Sequence, residues 1–331
     1  RQMCIRDRVC MWIYIVGGIV ILLFIAAFAV TGILFFGALR RISPKKKKKS
    51  QIDTASLFPA MEAYREVIDA GRDWFLSKPR REVDITAYDG IPLHAEILEA
   101  ENAGGTVLLM HGYRGSGLSN FAAVFRFYHE HGYNIVVPDE RACGKSGGTY
   151  ITLGVKESRD CKRWTEWIEK EYGQELPIFL DGISMGATTV LMATALELPG
   201  NVRGAIADCG FTSPWEIVCA VLRATGKIPV FPFAHIARLY ARIFAGFGLS
   251  EASAADAMKS CQIPVFFAHG RADRFVPYEM TEKNFAACAA PKELFCVDEA
   301  EHGMCYLIKP KEYEEKILAF FERCLKTENP S

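Results

Sequence analysis

The chain has 331 residues, with 39 Lys plus Arg balanced by 39 Asp plus Glu. A formal charge of zero leaves no basic excess for nucleic acid, and the length suffices for one large buried core on a short tether. The eleven cysteines are scattered, odd in number and without a C-x-x-C pair, which fits reduced thiols in a cytoplasmic protein better than a disulfide framework. No H-E-x-x-H, P-loop or dinucleotide fingerprint occurs, so no metal and no cofactor is expected.

Residues 1–10 form a short tail that opens on Arg1 rather than methionine, and the sequence leaves open whether it is native. Met11 to Leu39 is a run of 29 residues without a charge. As a helix it extends about 43 Å at 1.5 Å per residue, more than the ~30 Å hydrocarbon core, so it is predicted to cross a membrane. A cleaved signal peptide is the alternative, but its apolar region would be about 7–15 residues long. Arg40, Arg41 and Lys45 to Lys49 follow the run, whereas Arg1, Arg6 and Arg8 precede it with Asp7. The positive-inside rule then places everything after the span in the cytoplasm, as a single-pass protein of the cell membrane. The lysine run beside the bilayer also favours anionic lipid, at ~1 kcal/mol per lysine.

Residues 40–56 read as a basic linker. Residues 57–80 read as an amphipathic helical segment that packs on the domain or lies at the membrane surface. Residues 81–326 form the main domain. Val83–Tyr88 and Leu93–Leu98 flank Asp89-Gly90, a hairpin signal. Strands and helices then alternate from Thr106 to Ala207, the pattern of a doubly wound, mostly parallel α/β sheet. Between about 212 and 258 the alternation stops and the sequence turns helical and aromatic-rich, which predicts a helical cap insertion. The cap carries Arg223, Lys227, Arg238 and Arg242 against Glu216 between residues 211 and 250. Either an anionic substrate or surface, or simply a solvated helix face, accounts for that.

Gly182-Ile183-Ser184-Met185-Gly186 carries the chemistry. The apolar run Leu176–Leu180 precedes it as a strand, and Ala187–Leu198 follows as a helix. A serine at a sharp strand-to-helix turn is strained, and glycines two positions either side relieve the crowding because they lack a Cβ. Such a turn presents the hydroxyl as a nucleophile. A nucleophilic serine needs a base, and the base an orienting acid. Ile263–Ala268 reads as a strand, and Asp273 lies in the loop beyond its carboxyl end. Leu294–Val297 reads as the next strand and runs into His302. The plainer readings are Ser184 as a helix N-cap, Asp273 as a cap with Asp298 as the acid, and His302 as a surface histidine. The first leaves the flanking glycines unexplained.

These features resemble the α/β-hydrolase superfamily of serine hydrolases, and more narrowly its membrane-anchored bacterial esterase-like members. The resemblance covers roughly residues 80–325. It rests on His111-Gly112, on Asp139-Glu140-Arg141-Ala142-Cys143-Gly144-Lys145-Ser146-Gly147, on the elbow and on the loops holding Asp273 and His302. It implies the order Ser184, Asp273, His302 for the triad, an oxyanion hole from the backbone N–H groups of Tyr113 and Met185, and structural roles for His111 and His269. The expected function is cleavage of an ester or related acyl bond in a small-molecule substrate, lipid-like ones included, through an acyl-enzyme. A serine peptidase on the same fold and a non-catalytic ligand-binding module are the alternatives. No catalytic residue lies within residues 1–49, so removing them is expected to release a soluble domain with unchanged activity on small esters.

Overall fold

The computed structural model describes residues 5–42 and 59–326. Most of the 40–56 linker, with its lysine run at 45–49, lies outside the described residues, as do residues 1–4 of the tail.

The strands are β1 (Arg81–Thr86), β2 (Pro92–Leu98), β3 (Gly105–Met110), β4 (Tyr133–Pro138), β5 (Ile178–Ile183), β6 (Val202–Asp208), β7 (Val265–Gly270) and β8 (Lys292–Val297). The α-helices longer than one turn are α1 (Ile5–Leu39), α2 (Arg65–Ser77), α3 (Phe125–Glu130), α4 (Glu157–Tyr172) and α5 (Met185–Ala193). They continue as α6 (Pro214–Thr225), α7 (Val230–Tyr240), α8 (Ala254–Met258), α9 (Tyr278–Ala287) and α10 (Pro310–Lys326).

All eight strands join one sheet in the order β1-β2-β4-β3-β5-β6-β7-β8. β2 runs antiparallel to both neighbours, and the pairs from β4 to β8 are parallel. The Asp89-Gly90 turn joins β1 to β2, with Gly90 at φ 82°. β3 and β7 are buried at every residue, as strands covered on both faces must be. The period of two divides their side chains between two layers. Val107 and Leu109 join Phe75 of α2, Phe125 of α3 and Phe320 and Phe321 of α10 on one face. Leu108 and Met110 join Trp164 and Ile168 of α4 and Val190 of α5 on the other.

The parallel connections bring the carboxyl ends of β3, β5, β6, β7 and β8 to one edge of the sheet, where ligands bind in such folds. The long connection after β4 is braced by ion pairs and hydrogen bonds. Arg141, buried, makes a two-pronged ion pair with Asp160 at 2.6 Å and reaches Asp89 at 2.9 Å. Asp139 accepts from the Lys145 N–H at 2.7 Å, and a Cβ at Gly144 would lie 2.0 Å from the Asp139 carboxylate.

After β6 the chain rises over this edge as α6 and α7. Ser213 caps α6 by accepting from the Glu216 N–H, and Gly226 ends it in the left-handed region at φ 60°. Beyond a wider turn at Ala241–Ala245, α8 returns to the sheet. There Ala254 and Met258 pack with Ala187 and Leu191 of α5, so the piece standing over the site is residues 214–245.

One helix among the described residues, over Val9–Leu39, is long and apolar enough to cross a membrane. Its first part is exposed. Its last turns bury one face: Thr31, Phe35 and Leu39, spaced by four, are buried, while Ile33 and Leu34 stay exposed. Tyr240 of α7 packs edge-on to Phe28 and Phe35, stacks on Phe36 and donates its hydroxyl to the Phe28 carbonyl at 3.0 Å. The last carbonyls of α1 have no partner within the helix. The Tyr113 hydroxyl donates to Ala38 O at 2.5 Å, Arg114 binds Gly37 O and Arg40 O, and the Ile151 N–H donates to Leu39 O at 2.9 Å. Arg40 and Arg41, read from sequence as the start of a basic linker, are fixed to the domain. Arg40 pairs with Tyr150 in a single antiparallel bridge, and the Arg41 guanidinium binds the Gly144 and Ser146 carbonyls.

One buried carboxyl gives a stability test. Asp181 on β5 is completely buried, which pushes its pKa up to about 7, against the stabilising hydrogen bond from Tyr128; that bond is 2.7 Å long. An unfolded aspartate titrates near ~3.9. Between those values the native state holds more protons than the unfolded one, so this group lowers stability as pH rises. Asp181→Asn keeps an acceptor for Tyr128 and removes the titration. Unfolding in detergent at a series of pH values should show the variant gaining on the wild type from about pH 4 to about pH 7, with a level difference above. A difference that does not change with pH would contradict this.

Candidate active site

Ser184 is the first residue past β5, with φ 56° and ψ −115°, a backbone that L-residues rarely adopt. The neighbouring glycines are a steric necessity. A Cβ on Gly182 would lie 2.2 Å from the Gly186 carbonyl oxygen, and one on Gly186 would lie 1.8 Å from the Met110 carbonyl oxygen. Both obstacles are backbone. Gly186→Ala should therefore destabilise the fold by about 3 kcal/mol, the upper end for forced overpacking. Thermal unfolding of the purified variant checks this; an unchanged midpoint would show that the turn can yield.

The structure brings Ser184, His302 and Asp273 together from three loops at the carboxyl edge. Ser184 Oγ is 2.9 Å from His302 Nε2, and His302 Nδ1 is 2.7 Å from Asp273 Oδ2. The carboxylate can only accept, so His302 carries its proton on Nδ1 and offers Nε2 as acceptor to the serine hydroxyl. Asp298, the alternative acid, is exposed and pairs with Arg271 at 3.0 Å.

Asp273 is fixed from two sides. Its Oδ1 accepts from the N–H groups of Phe275 at 2.8 Å and Val276 at 2.9 Å. Its Oδ2 also lies 3.1 Å from His269 Nε2, while His269 Nδ1 meets Thr281 Oγ1 at 2.7 Å. Burial pushes the Asp273 carboxyl up, but the hydrogen bonds and charges of His269 and His302 together outweigh it and hold the group well below the usual carboxylate range. His269 is thus a second imidazole on the acid. The spacing of four to Asp273 was visible in the sequence; the turn that folds one onto the other was not.

Tyr113 lies in the loop after β3, and Met185, next to the serine, is the first residue of α5. The Tyr113 loop is a tight turn, with the Gly115 N–H donating to Gly112 O at 2.9 Å and the Gly112 N–H to Asn120 Oδ1 at 2.9 Å. His111 braces it from beneath: Nδ1 donates to Gly112 O at 2.8 Å, and Nε2 accepts from the Glu140 N–H at 3.0 Å.

Cys209, at the end of β6 with φ 49°, has its Sγ 3.9 Å from His302 Nε2. With Asp273 and His302 it forms the one cluster of potential metal-ligating atoms among the described residues. The cluster is a poor metal site, because both His302 nitrogens are engaged and burial raises the Cys209 thiol well above its ordinary value, disfavouring the thiolate a metal needs.

Ser184 opens into a cavity of about 360 Å³. Ile217, Val218, Val221 and Leu222 of α6 and Phe233 of α7 form one side, and Leu34, Phe35, Ala38 and Leu39 of α1 form another. Nearly every lining group is apolar. Sequence reasoning missed α1 as a wall, because a helix apolar all round shows no face for a cavity. The tether expected at 11–39 is therefore also part of the site, and removing residues 1–49 would strip one side of the cavity.

The family model described as "alpha/beta hydrolase fold" matches residues 105–224, which include the Tyr113 loop and the elbow. Among curated proteins, the chain is 26% identical over 217 residues to the uncharacterized protein YqkD of Bacillus subtilis, covering 66% of this chain and 71% of that one. It is 23% identical over 256 residues to the uncharacterized protein YfhR of Escherichia coli K12, covering 75% and 82%. Among solved structures, an esterase of Pyrococcus furiosus, Pf2001, superposes with a TM-score of 0.60 at 27% identity, over 75% of this chain and 93% of that one. Est1E of Butyrivibrio proteoclasticus shares the fold, with a TM-score of 0.57 at 19% identity. The sheet order and these matches define an esterase-like α/β-hydrolase fold. The chain belongs to the α/β-hydrolase superfamily, and its fold supports hydrolase activity.

Proposed function

We propose that the protein is a membrane-anchored serine hydrolase that cleaves carboxylic esters with apolar acyl groups. One observation carries this reading: a Ser184–His302–Asp273 hydrogen-bonded chain, with links of 2.9 Å and 2.7 Å, stands at the wall of an apolar cavity. Ser184 Oγ attacks the ester carbonyl carbon as His302 Nε2 takes the hydroxyl proton. The oxyanion is met by the backbone N–H groups of Tyr113 and Met185, donors worth ~2.7–4 kcal/mol each in comparable sites. Collapse breaks the C–O bond, and His302 returns the proton to the departing alcohol. Water then attacks the acyl-serine and gives its proton to His302. The carboxylic acid leaves and Ser184 recovers its hydrogen, so the balance is ester plus water to acid plus alcohol. Asp273 keeps the Nδ1 proton in place and balances the imidazolium.

The test is a panel of nitrophenyl esters from acetyl to palmitoyl, with the purified full-length protein in detergent. Turnover should rise with chain length until the cavity is filled and vanish in Ser184→Ala. Cleavage of peptide amides with no ester turnover would favour a peptidase instead.

In this reading α1 is the anchor, and the positive flank of Arg40, Arg41 and the 45–49 lysines keeps the catalytic domain on the cytoplasmic side. In protease-treated spheroplasts, an epitope at the carboxyl terminus should survive until the membrane is opened. Its digestion in sealed spheroplasts would place the domain outside.

A further inference from the structure

We infer that the substrate is a membrane-resident acyl ester that reaches Ser184 directly from the bilayer, through the gap between α1 and the cap. This rests on the readings of Ser184 as nucleophile and α1 as anchor, and adds the source of the substrate and its route.

The length of α1 sets the depth of the entrance. Trp12 and Tyr14 are exposed near its beginning, the position of an interfacial aromatic belt. A hydrocarbon core of ~30 Å takes about 20 helical residues. Counting from Trp12, the core ends near residue 32. The turns that follow carry Leu34, Phe35 and Ala38, which line the cavity. The excess of the apolar run over one bilayer thickness is therefore the stretch that borders the site.

The rim lies at the same level. Leu34 of α1 and Val221 of α6 line the cavity and are also exposed, at 43% and 38%, so the cavity opens between these helices. Beside this opening α7 and the turn after it pack against α1 through Tyr240 and Phe244. They turn Leu239 and Ile243 outward, 45% and 61% exposed. Arg238 and Arg242 alternate with these apolar residues in the sequence. Exposed apolar side chains interleaved with arginines suit a surface seated among lipid headgroups. An acyl chain passing from the leaflet into the cavity never crosses water. Phe275, whose ring is 5.1 Å from that of His302, also lines the cavity and is exposed, which gives the alcohol product an exit past the histidine.

The experiment uses full-length protein in anionic vesicles carrying an oleoyl ester of a fluorogenic phenol, beside the water-soluble butyryl ester of the same phenol. Leu239→Glu with Ile243→Glu alters the surface and no cavity-lining residue. The double variant should lose about tenfold on the vesicle ester, the effect of ~1.4 kcal/mol, with the butyryl rate unchanged. Wild-type turnover of the vesicle ester by this variant would overturn bilayer entry and leave the nucleophile reading standing. Hydrolysis of both esters that survives Ser184→Ala would overturn that underlying reading. Should the double variant lose the butyryl rate as well, Ile243→Trp decides: its added fluorescence should be quenched by brominated lipid, and an unquenched signal overturns the proposal.

Discussion

Ser184→Ala should lower kcat on esters by about 10⁴–10⁶ and leave the thermal midpoint almost unchanged. The serine contributes its hydroxyl and little else. It is nearly buried, and its unusual backbone is set by the crowding of Gly182 and Gly186, which an alanine leaves in place. Its Oγ makes the 2.9 Å bond to His302, while His302 stays fixed through Asp273. Substrate binding depends on the cavity, so KM should move little. Circular dichroism and kinetics on the same preparation separate loss of chemistry from loss of fold. A variant that retains more than about a hundredth of the wild-type kcat would be hard to reconcile with a nucleophilic Ser184.

Asp273→Asn should cost about 10⁴ in kcat, the scale known for loss of a triad aspartate. The expected mechanism is a tautomer error. The Phe275 and Val276 N–H groups both point at Oδ1, so an asparagine places its carbonyl oxygen there. Its NH2 group then faces His302 Nδ1 and His269 Nε2. His302 must accept at Nδ1 and carry its proton on Nε2, where it donates to the serine and no longer takes the serine's proton. The loop fold survives because both backbone donors keep their acceptor. Raising pH should restore little activity, since the tautomer is dictated by the amide. Near-normal turnover in Asp273→Asn would point to another acid.

Much of the site was legible because it follows from local sterics. Only glycine fits at 182 and 186, and that requirement is printed in the sequence. Asp273 and His302 were legible because each follows an apolar strand, and parallel strands deliver the loops after them to one edge. What stayed hidden depends on contacts between distant segments. His269 looked structural, and its bond to Asp273 needs the turn that folds residue 273 back onto the strand end. Cys209 gave no signal beyond its apolar setting, yet β6 ends with its sulfur beside His302. Arg40 and Arg41 looked like topology signals, and their backbone and side-chain partners at 144–150 lie a hundred residues away. The hardest feature was the inner face of α1. Lipid and a cavity ask for the same apolar side chains, so Phe35 reads identically whether it faces acyl chains of the bilayer or a substrate.

The most direct measurement is fluorophosphonate labelling of the full-length protein in its membrane, with the modified peptide mapped by mass spectrometry. A single adduct is expected on Ser184, absent in Ser184→Ala and much slower to form in His302→Gln, because the base that activates the hydroxyl is gone. An adduct on another residue, or labelling that persists after Ser184→Ala, would contradict it.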